Sequence, residues 1–249
     1  LVDVLTLTAT PIPRTLYLSL IGARDMSVIA TPPEGRLPIR TEVVEFRERV
    51  IREAFERELE RKGQVYFVHN RIETIDRVHR KLAAFLSGVR FGVAHGRLAP
   101  HLLEDIMRRF IAGDLDCLIS TNIIESGLDI PNVNTIIVNR ADTFGLADLY
   151  QLRGRVGRFS KRQAYAYFIV PPDFVMSQEA GKRISAIERF TDLGSGFKVA
   201  MEDLEIRGAG NILGEEQSGF IYQVGFDLYC RLLKQAVEAE QRGLETHIS

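Results

Sequence analysis

Gln64-Val65-Tyr66-Phe67-Val68-His69 decides the fold. This β-rich, nearly unbroken apolar run stands between Gly63, which closes a helical pattern, and a second helical pattern from about Ile72 to Leu86. Continuous apolar character over so short a span fits a strand covered on both faces, and helix-length neighbours on either side supply the cover. Reading toward the N-terminus, Arg47 to Lys62 is heavily charged, but Ile51, Ala54, Phe55 and Leu59 keep helical spacing. Its charges form a solvated face. Thr41 to Phe46 before it reads as a strand. Toward the C-terminus come a strand near Val89 to Ala94 and a helix opened by Pro100 and ending near Ala112-Gly113. A short buried strand, Cys117 to Ser120, and an apolar run, Thr135 to Val138, follow. Gly145 to Leu152 leads into an arginine-rich helix, and Ala164 to Val170 is a last strand stopped by Pro171 and Pro172. Strands alternating with helices of this length require right-handed crossovers. The expected fold is therefore an α/β domain over about 38–172, with a mostly parallel sheet and helices on both faces.

The flanks differ. Val2 to Thr8 alternates like a strand and runs into Thr8-Ala9-Thr10-Pro11-Ile12-Pro13, where the prolines forbid its continuation. A short helix is suggested over Thr15 to Ile21, and the proline-rich stretch 31–38 reads as a linker. The first boundary is expected at 1–37. After Pro172 the alternation stops, and Ser177 to Thr191, Phe197 to Ile206 and Val224 to Glu240 carry helical spacing. A helical appendage over 173–249 is expected, with a glycine-rich loop at 207–219. The chain opens in a strand-like run without an initiator Met, so the expectation is a piece of a longer protein.

Composition narrows the classes. With 249 residues, 45% hydrophobic and 26% charged, the chain has an ordinary globular make-up. A net charge of −1 excludes a globally basic nucleic-acid coat, so any such contact must come from local patches. The window Arg153 to Arg162 supplies one, with Arg153, Arg155, Arg158, Lys161 and Arg162 and no acid. Cys117 and Cys230 lie far apart in apolar settings, which gives neither a disulfide framework nor a metal spacing and fits a reducing, cytoplasmic setting. No apolar run reaches the length of a membrane span.

Within that window, Gln151, Arg155 and Arg158 stand at i, i+4 and i+7, the spacing that stacks side chains on one helical face. Two guanidiniums three residues apart make a clamp for phosphate oxygens. The bland alternative is a solvated basic helix end. Gly154 and Gly157 each weaken a helix by roughly 1 kcal/mol, which points to close approach of backbone to something.

In an open parallel sheet, ligands gather at the carboxyl ends of the strands. The loops there carry His69-Asn70-Arg71, Ala94-His95-Gly96, Ser120-Thr121-Asn122 and, further on, Gly127 to Pro131 with Asp129. Singly each is weak: Thr121 reads equally as a helix N-cap, Asp129 as a turn former, His95 as a loop histidine. Together, Asn, Thr, Arg and exposed amides on adjacent loops grip a sugar-phosphate chain without reading bases. The chain holds no Trp for base stacking. It also lacks a Gly-x-x-x-x-Gly-Lys-Ser/Thr loop, an acidic pair following a strand, and a Gly-x-Ser-x-Gly elbow. Arginines suited to phosphoryl transfer without any means of holding the nucleotide amount to half of an ATPase.

The motifs that carry a resemblance stand in order. Thr8-Ala9-Thr10-Pro11 resembles motif III of superfamily 2 helicases, Val65 to Arg71 motif IV, Ser120 to Pro131 motif V, and Gln151 to Arg158 motif VI. Asp203 to Asn211, followed by Gly214 to Gly219, resembles the translocation motif shared by the fork-reversal helicase RecG and the family of bacterial transcription-repair coupling factors. Ile123 to Thr135 and Thr31 to Arg36 are closer to the latter. The resemblance implies a double-stranded DNA translocase of two RecA-like lobes with ATP and Mg2+ between them, held mainly by a first lobe of which residues 1–21 are the tail. It implies that Arg155 and Arg158, with Gln151 beside them, reach the γ-phosphate, and that Gly127 and Asp129 border the nucleotide. Asn70, Arg71, His95 and Thr121 would face the DNA backbone, while Arg207 and Gln217 couple nucleotide state to movement. The family's partners would be stalled RNA polymerase and excision-repair proteins, reached through other domains. RecG-type fork reversal and a non-catalytic α/β scaffold that binds a protein through its helical tail are the alternatives.

Overall fold

A computed structural model describes residues 5, 7–8, 19, 26–29, 37–121, 132–157, 162–172, 175–192, 194–207 and 235. Contacts divide the chain into Pro32–Leu193 and a second unit made of Leu1–Thr31 and Gly194–Ser249. In the first unit the order is β1 (Arg40–Glu45), α1 (Glu48–Glu60), β2 (Gln64–His69), α2 (Ile72–Phe85), β3 (Phe91–Ala94), α3 (Pro100–Ile111) and β4 (Cys117–Ser120). Then come β5 (Val133–Asn139), a 3-10 turn (Ala141–Thr143), α4 (Leu146–Arg153), β6 (Tyr165–Val170) and α5 (Gln178–Arg189). The six strands form one sheet in the order β1-β6-β5-β2-β4-β3. Every pairing is parallel, as the alternation of strand and helix requires.

β2 lies in the middle and all six of its residues are buried. Val65 and Phe67 face one layer, where they pack with Ile51, Ala54 and Phe55 of α1 and with Ile75 and Leu82 of α2. On the opposite face Gly92 of β3 meets Ile106 of α3, so close that a Cβ on Gly92 would lie 3.1 Å from the Ile106 side chain. Helices therefore cover both faces, and the continuous apolar reading of β2 has its cause.

The buried stripe of α1 ends on a carboxylate. Ile51, Ala54, Phe55 and Glu58 are all buried at i, i+3, i+4 and i+7. Glu58 Oε2 accepts from Thr135 Oγ1 and from Arg61 Nη2, which offsets the cost of removing the charge from water. The helix closes with Lys62 N–H donating to Leu59 O and Gly63 N–H to Glu58 O, both at 2.9 Å. The left-handed residue is Lys62, at φ 57°, and not the glycine. Gly63 is needed for a different reason, since a Cβ there would stand 1.7 Å from Glu58 Oε1.

Helix α5 lies against α4, the 3-10 turn and β1 within the sheet unit, so the division falls at residue 193. Ser177 caps it, accepting from Ala180 N–H at 3.2 Å. In the second unit, α6 (Gly196–Arg207) buries Val199, Ala200 and Leu204. Among the described residues, no helix is long and apolar enough to cross a membrane. Nor does any group of three His, Cys, Asp or Glu side chains stand ready to hold a metal ion.

Candidate functional site

Register brings the strand ends to one level. Val68 and Ala94 both pair with Ser120, and His69 pairs with Asn139. Asn70, His95, Thr121 and Arg140 therefore leave the sheet side by side at its carboxyl edge, the place where open parallel sheets take ligands. Asn70 and Arg71 are exposed there. Thr121 is 2% exposed, anchored by its N–H to Ala94 O at 3.4 Å, and its Oγ1 has no hydrogen-bond partner among the described residues. His95 Nδ1, on the neighbouring strand end, is likewise buried and unpartnered. An unpaired buried hydroxyl or imidazole nitrogen costs about 1–3 kcal/mol, and two of them lie at this edge.

Beneath that edge the strand ends are locked. His69 is buried, and its ring nitrogens are both engaged: Asn139 Nδ2–H donates to Nδ1 at 3.1 Å, and Nε2–H donates to Thr74 Oγ1 at 2.7 Å. Burial, followed by the charges of Arg71, Arg77 and Arg140, holds the His69 pKa below its ordinary value, so the ring is neutral. Ser120 Oγ lies 2.8 Å from the buried Tyr66 hydroxyl and 3.0 Å from Thr121 O. Burial raises the Tyr66 pKa, while the bond to Ser120 and the charge of Arg155 work against the rise. Arg155 is thus within electrostatic reach of the middle of the sheet.

The arginine segment differs from its expected form. α4 ends at Arg153, with Gly154 as its cap, and Arg155 N–H turns back to Leu152 O at 3.1 Å. The face expected to join Gln151, Arg155 and Arg158 therefore does not continue past Arg153. Glycine is the physical reason: Gly154 gives no helical preference, and Gly157 turns left-handed at φ 68°. A Cβ on Gly157 would meet the Cβ of Ala164 at 2.7 Å, so backbone does come close there, to β6's approach. Gln151 is exposed on the last turn of α4. Arg155 is half-buried and makes no ion pair among the described residues.

Arg153 is corrected more sharply. It was counted in a surface cationic patch, yet it is 4% exposed. Its Nη1 donates to Ile187 O at 2.9 Å and its Nη2 to Phe190 O, the carbonyls at the end of α5, and its guanidinium lies 5.1 Å from the Tyr150 ring. Arg162 stays exposed, and its Nη1 donates to Arg61 O at 2.7 Å. Arg158, Gly127, Asp129 and Gln217 lie outside the described residues, as does the side chain of Arg207.

Sequence reasoning passed over Arg77, Asn139 and Arg140. The available signal was position alone: Asn139-Arg140 directly follows a buried strand, as Asn70-Arg71 does.

The family described as helicase conserved C-terminal domain matches residues 47–160. The transcription-repair-coupling factor of Bacillus subtilis (strain 168) is 57% identical over 97% of this chain and 20% of its own length. That of Myxococcus xanthus is 54% identical over the same shares. The chain thus spans about a fifth of the length of these curated relatives. Among solved structures, RecG bound to a three-way DNA junction superposes with a TM-score of 0.65 at 33% identity, over 90% of this chain and 30% of that one. The chain therefore belongs with the transcription-repair-coupling factors, and its residues 47–160 form a helicase conserved C-terminal domain.

Proposed function

We propose that this chain is the second motor lobe and translocation motif of an ATP-driven double-stranded DNA translocase that displaces stalled RNA polymerase and couples transcription to excision repair. The observation that carries the proposal is the carboxyl edge of the sheet. Exposed Asn70 and Arg71 share this edge with Thr121 Oγ1 and His95 Nδ1, which have no partner among the described residues, and the charge of Arg155 acts on Tyr66 in the central strand. Neutral and cationic donors so arranged grip a sugar-phosphate backbone without reading its sequence. Residues 1–37 are read as the tail of a first lobe and its linker, 38–172 as the second lobe, and 173–249 as the helical hairpin with the translocation motif.

ATP with Mg2+, bound mainly by the first lobe, supplies the phosphoryl-transfer chemistry. Arg155 suits the complementary role, being half-buried, permanently charged and without an ion pair among the described residues to neutralise it. Gln151 and Arg158 are assigned to the same pocket, Gly127 and Asp129 to its rim, and Arg207 and Gln217 to coupling. The higher identity to coupling factors than to RecG, 57% against 33%, favours displacement of polymerase over fork reversal. A coupling factor works among cytoplasmic nucleic acids, and excision-repair proteins would be its partners through other domains.

The test is a salt series of DNA affinity with the full-length protein. Affinity should fall steeply with salt, and Arg71→Ala should shallow the slope by about 0.9. Thr121→Val should weaken binding at all salts by leaving the DNA one partner short. Affinity independent of salt, with both variants indistinguishable from the parent, would eliminate the backbone reading.

A further inference from the structure

We propose that Arg140, which belongs to none of the recognised motifs, is a phosphate-gripping residue of the same edge, pre-set by Asp142 to take one DNA backbone phosphate. The inference rests on the DNA reading above and adds a residue to it. Three observations support it.

The first is backbone strain. Arg140 sits immediately after β5 at φ 56°, ψ 51°, a left-handed conformation that costs a side chain about 1–2 kcal/mol and costs glycine nothing. The turn itself is served by backbone groups: Thr143 N–H and Oγ1 donate to Arg140 O at 3.0 and 2.8 Å. The turn would form more cheaply with Gly or Asn, so its geometry does not account for a long cation. Strain retained at a ligand edge is a recurrent sign of function.

The second is orientation. Arg140 Nε and Nη2 donate to Asp142 Oδ1 and Oδ2 at 2.9 and 2.8 Å. The Asp142 side chain is 9% exposed, whereas that of Arg140 is 47% exposed. Asp142 is itself fixed, its carbonyl accepting from Arg183 Nη2 on α5 at 3.3 Å. The carboxylate thus holds one edge of the guanidinium, and the Nη1 hydrogens remain directed to other partners, a division that suits a planar fork gripping a second anion.

The third is company. Asn139, the preceding residue, is bonded to His69, whose loop carries Asn70 and Arg71. The charges of Arg71, Arg77 and Arg140 all act on the His69 ring. Arg71 and Arg77 are exposed and form no ion pair among the described residues. Cations converging on one strand end repel one another, and the nearby carboxylates are already engaged, Asp142 by Arg140 and Glu73 by Arg97, so an incoming anion is favoured.

The experiment measures DNA affinity against salt for the full-length protein and its Arg140→Gly, Arg140→Asn and Arg140→Lys variants. Gly and Asn both accept the left-handed turn, and that relief stands against the loss of the bonds to Asp142, so melting should stay close to that of the parent. Their slope of log affinity against log salt should be shallower by about 0.9, the share of one phosphate, and Arg140→Lys should keep the parental slope. An unchanged slope in Arg140→Gly and Arg140→Asn overturns the inference. So does an unchanged slope with a raised KM for ATP, which would assign the guanidinium to the nucleotide. If the parent itself shows no salt-dependent binding, the underlying DNA reading fails instead, and this inference falls with it.

Discussion

Replacing Arg153 with Met tests how the arginine segment is held. The guanidinium is buried, and burial pushes its pKa down from its ordinary value to about 10, so keeping it charged there costs about 3 kcal/mol. Against that stand two hydrogen bonds to the α5 end, at Ile187 O and Phe190 O, each worth about 1.5–3 kcal/mol because the donor is charged. Cost and gain nearly cancel, as is usual for buried charges. The loss in Arg153→Met therefore comes from what is left behind: two carbonyls without donors, at about 1–3 kcal/mol each, partly offset by the apolar thioether filling the space. We expect a net destabilisation of about 2–3 kcal/mol by urea denaturation of the 249-residue chain. Arg153→Ala, which adds a cavity, should cost more. Stability within about 0.5 kcal/mol of the parent in Arg153→Met, a change typical of surface positions, would refute the reasoning.

Other outcomes follow from single positions. Gly157→Ala forces a Cβ into a left-handed turn 2.7 Å from the Ala164 Cβ, so it should lower stability by at least about 2 kcal/mol and disturb ATP turnover by moving Arg155; parental melting and turnover would count against it. Gly63→Ala must displace Glu58 from Thr135 and Arg61, leaving a buried carboxylate poorly paired, and should cost about 3–5 kcal/mol in the same denaturation assay. His69 titrates lower in the folded chain than in the unfolded one. Its contribution is accordingly intact above the unfolded value of about 6.5 and is lost as pH falls from there through the folded pKa. Melting of His69→Gln, compared with the parent between pH 7 and pH 5, should lose that part of the acid sensitivity; parallel curves would contradict the neutral, doubly bonded ring.

Much of the sheet was legible because the physics there is local. An apolar run such as Gln64 to His69, flanked by helical periods, can be buried only between two helical layers, and the all-parallel order follows from the crossovers. Ends were less legible. Whether Lys62 or Gly63 takes the left-handed position depends on the Glu58 side chain, which is brought to Gly63 by a carboxylate bond to Thr135 far along the chain. The arginine segment was misread in two ways for one reason. Charge density indicates a surface and periodicity indicates a helix, but α5 offers Arg153 two carbonyls that no local pattern reveals, and Gly154 stops the helix one turn early. At the edge, the positions of Asn70, Arg71, His95 and Thr121 after strand ends were legible because loops after strands could be identified. Arg140 was missed because an Asn-Arg pair after a strand looks ordinary until its backbone angles and its Asp142 partner are seen.

ATP turnover by full-length Arg155→Ala, measured with saturating DNA, addresses the central proposal most directly. A guanidinium completing a nucleotide pocket from outside is worth on the order of a thousand-fold or more in rate. Turnover should therefore fall by about that factor while DNA affinity stays within a few-fold of the parent. Turnover within about ten-fold of the parent, less than the loss of any such arginine permits, would contradict the account.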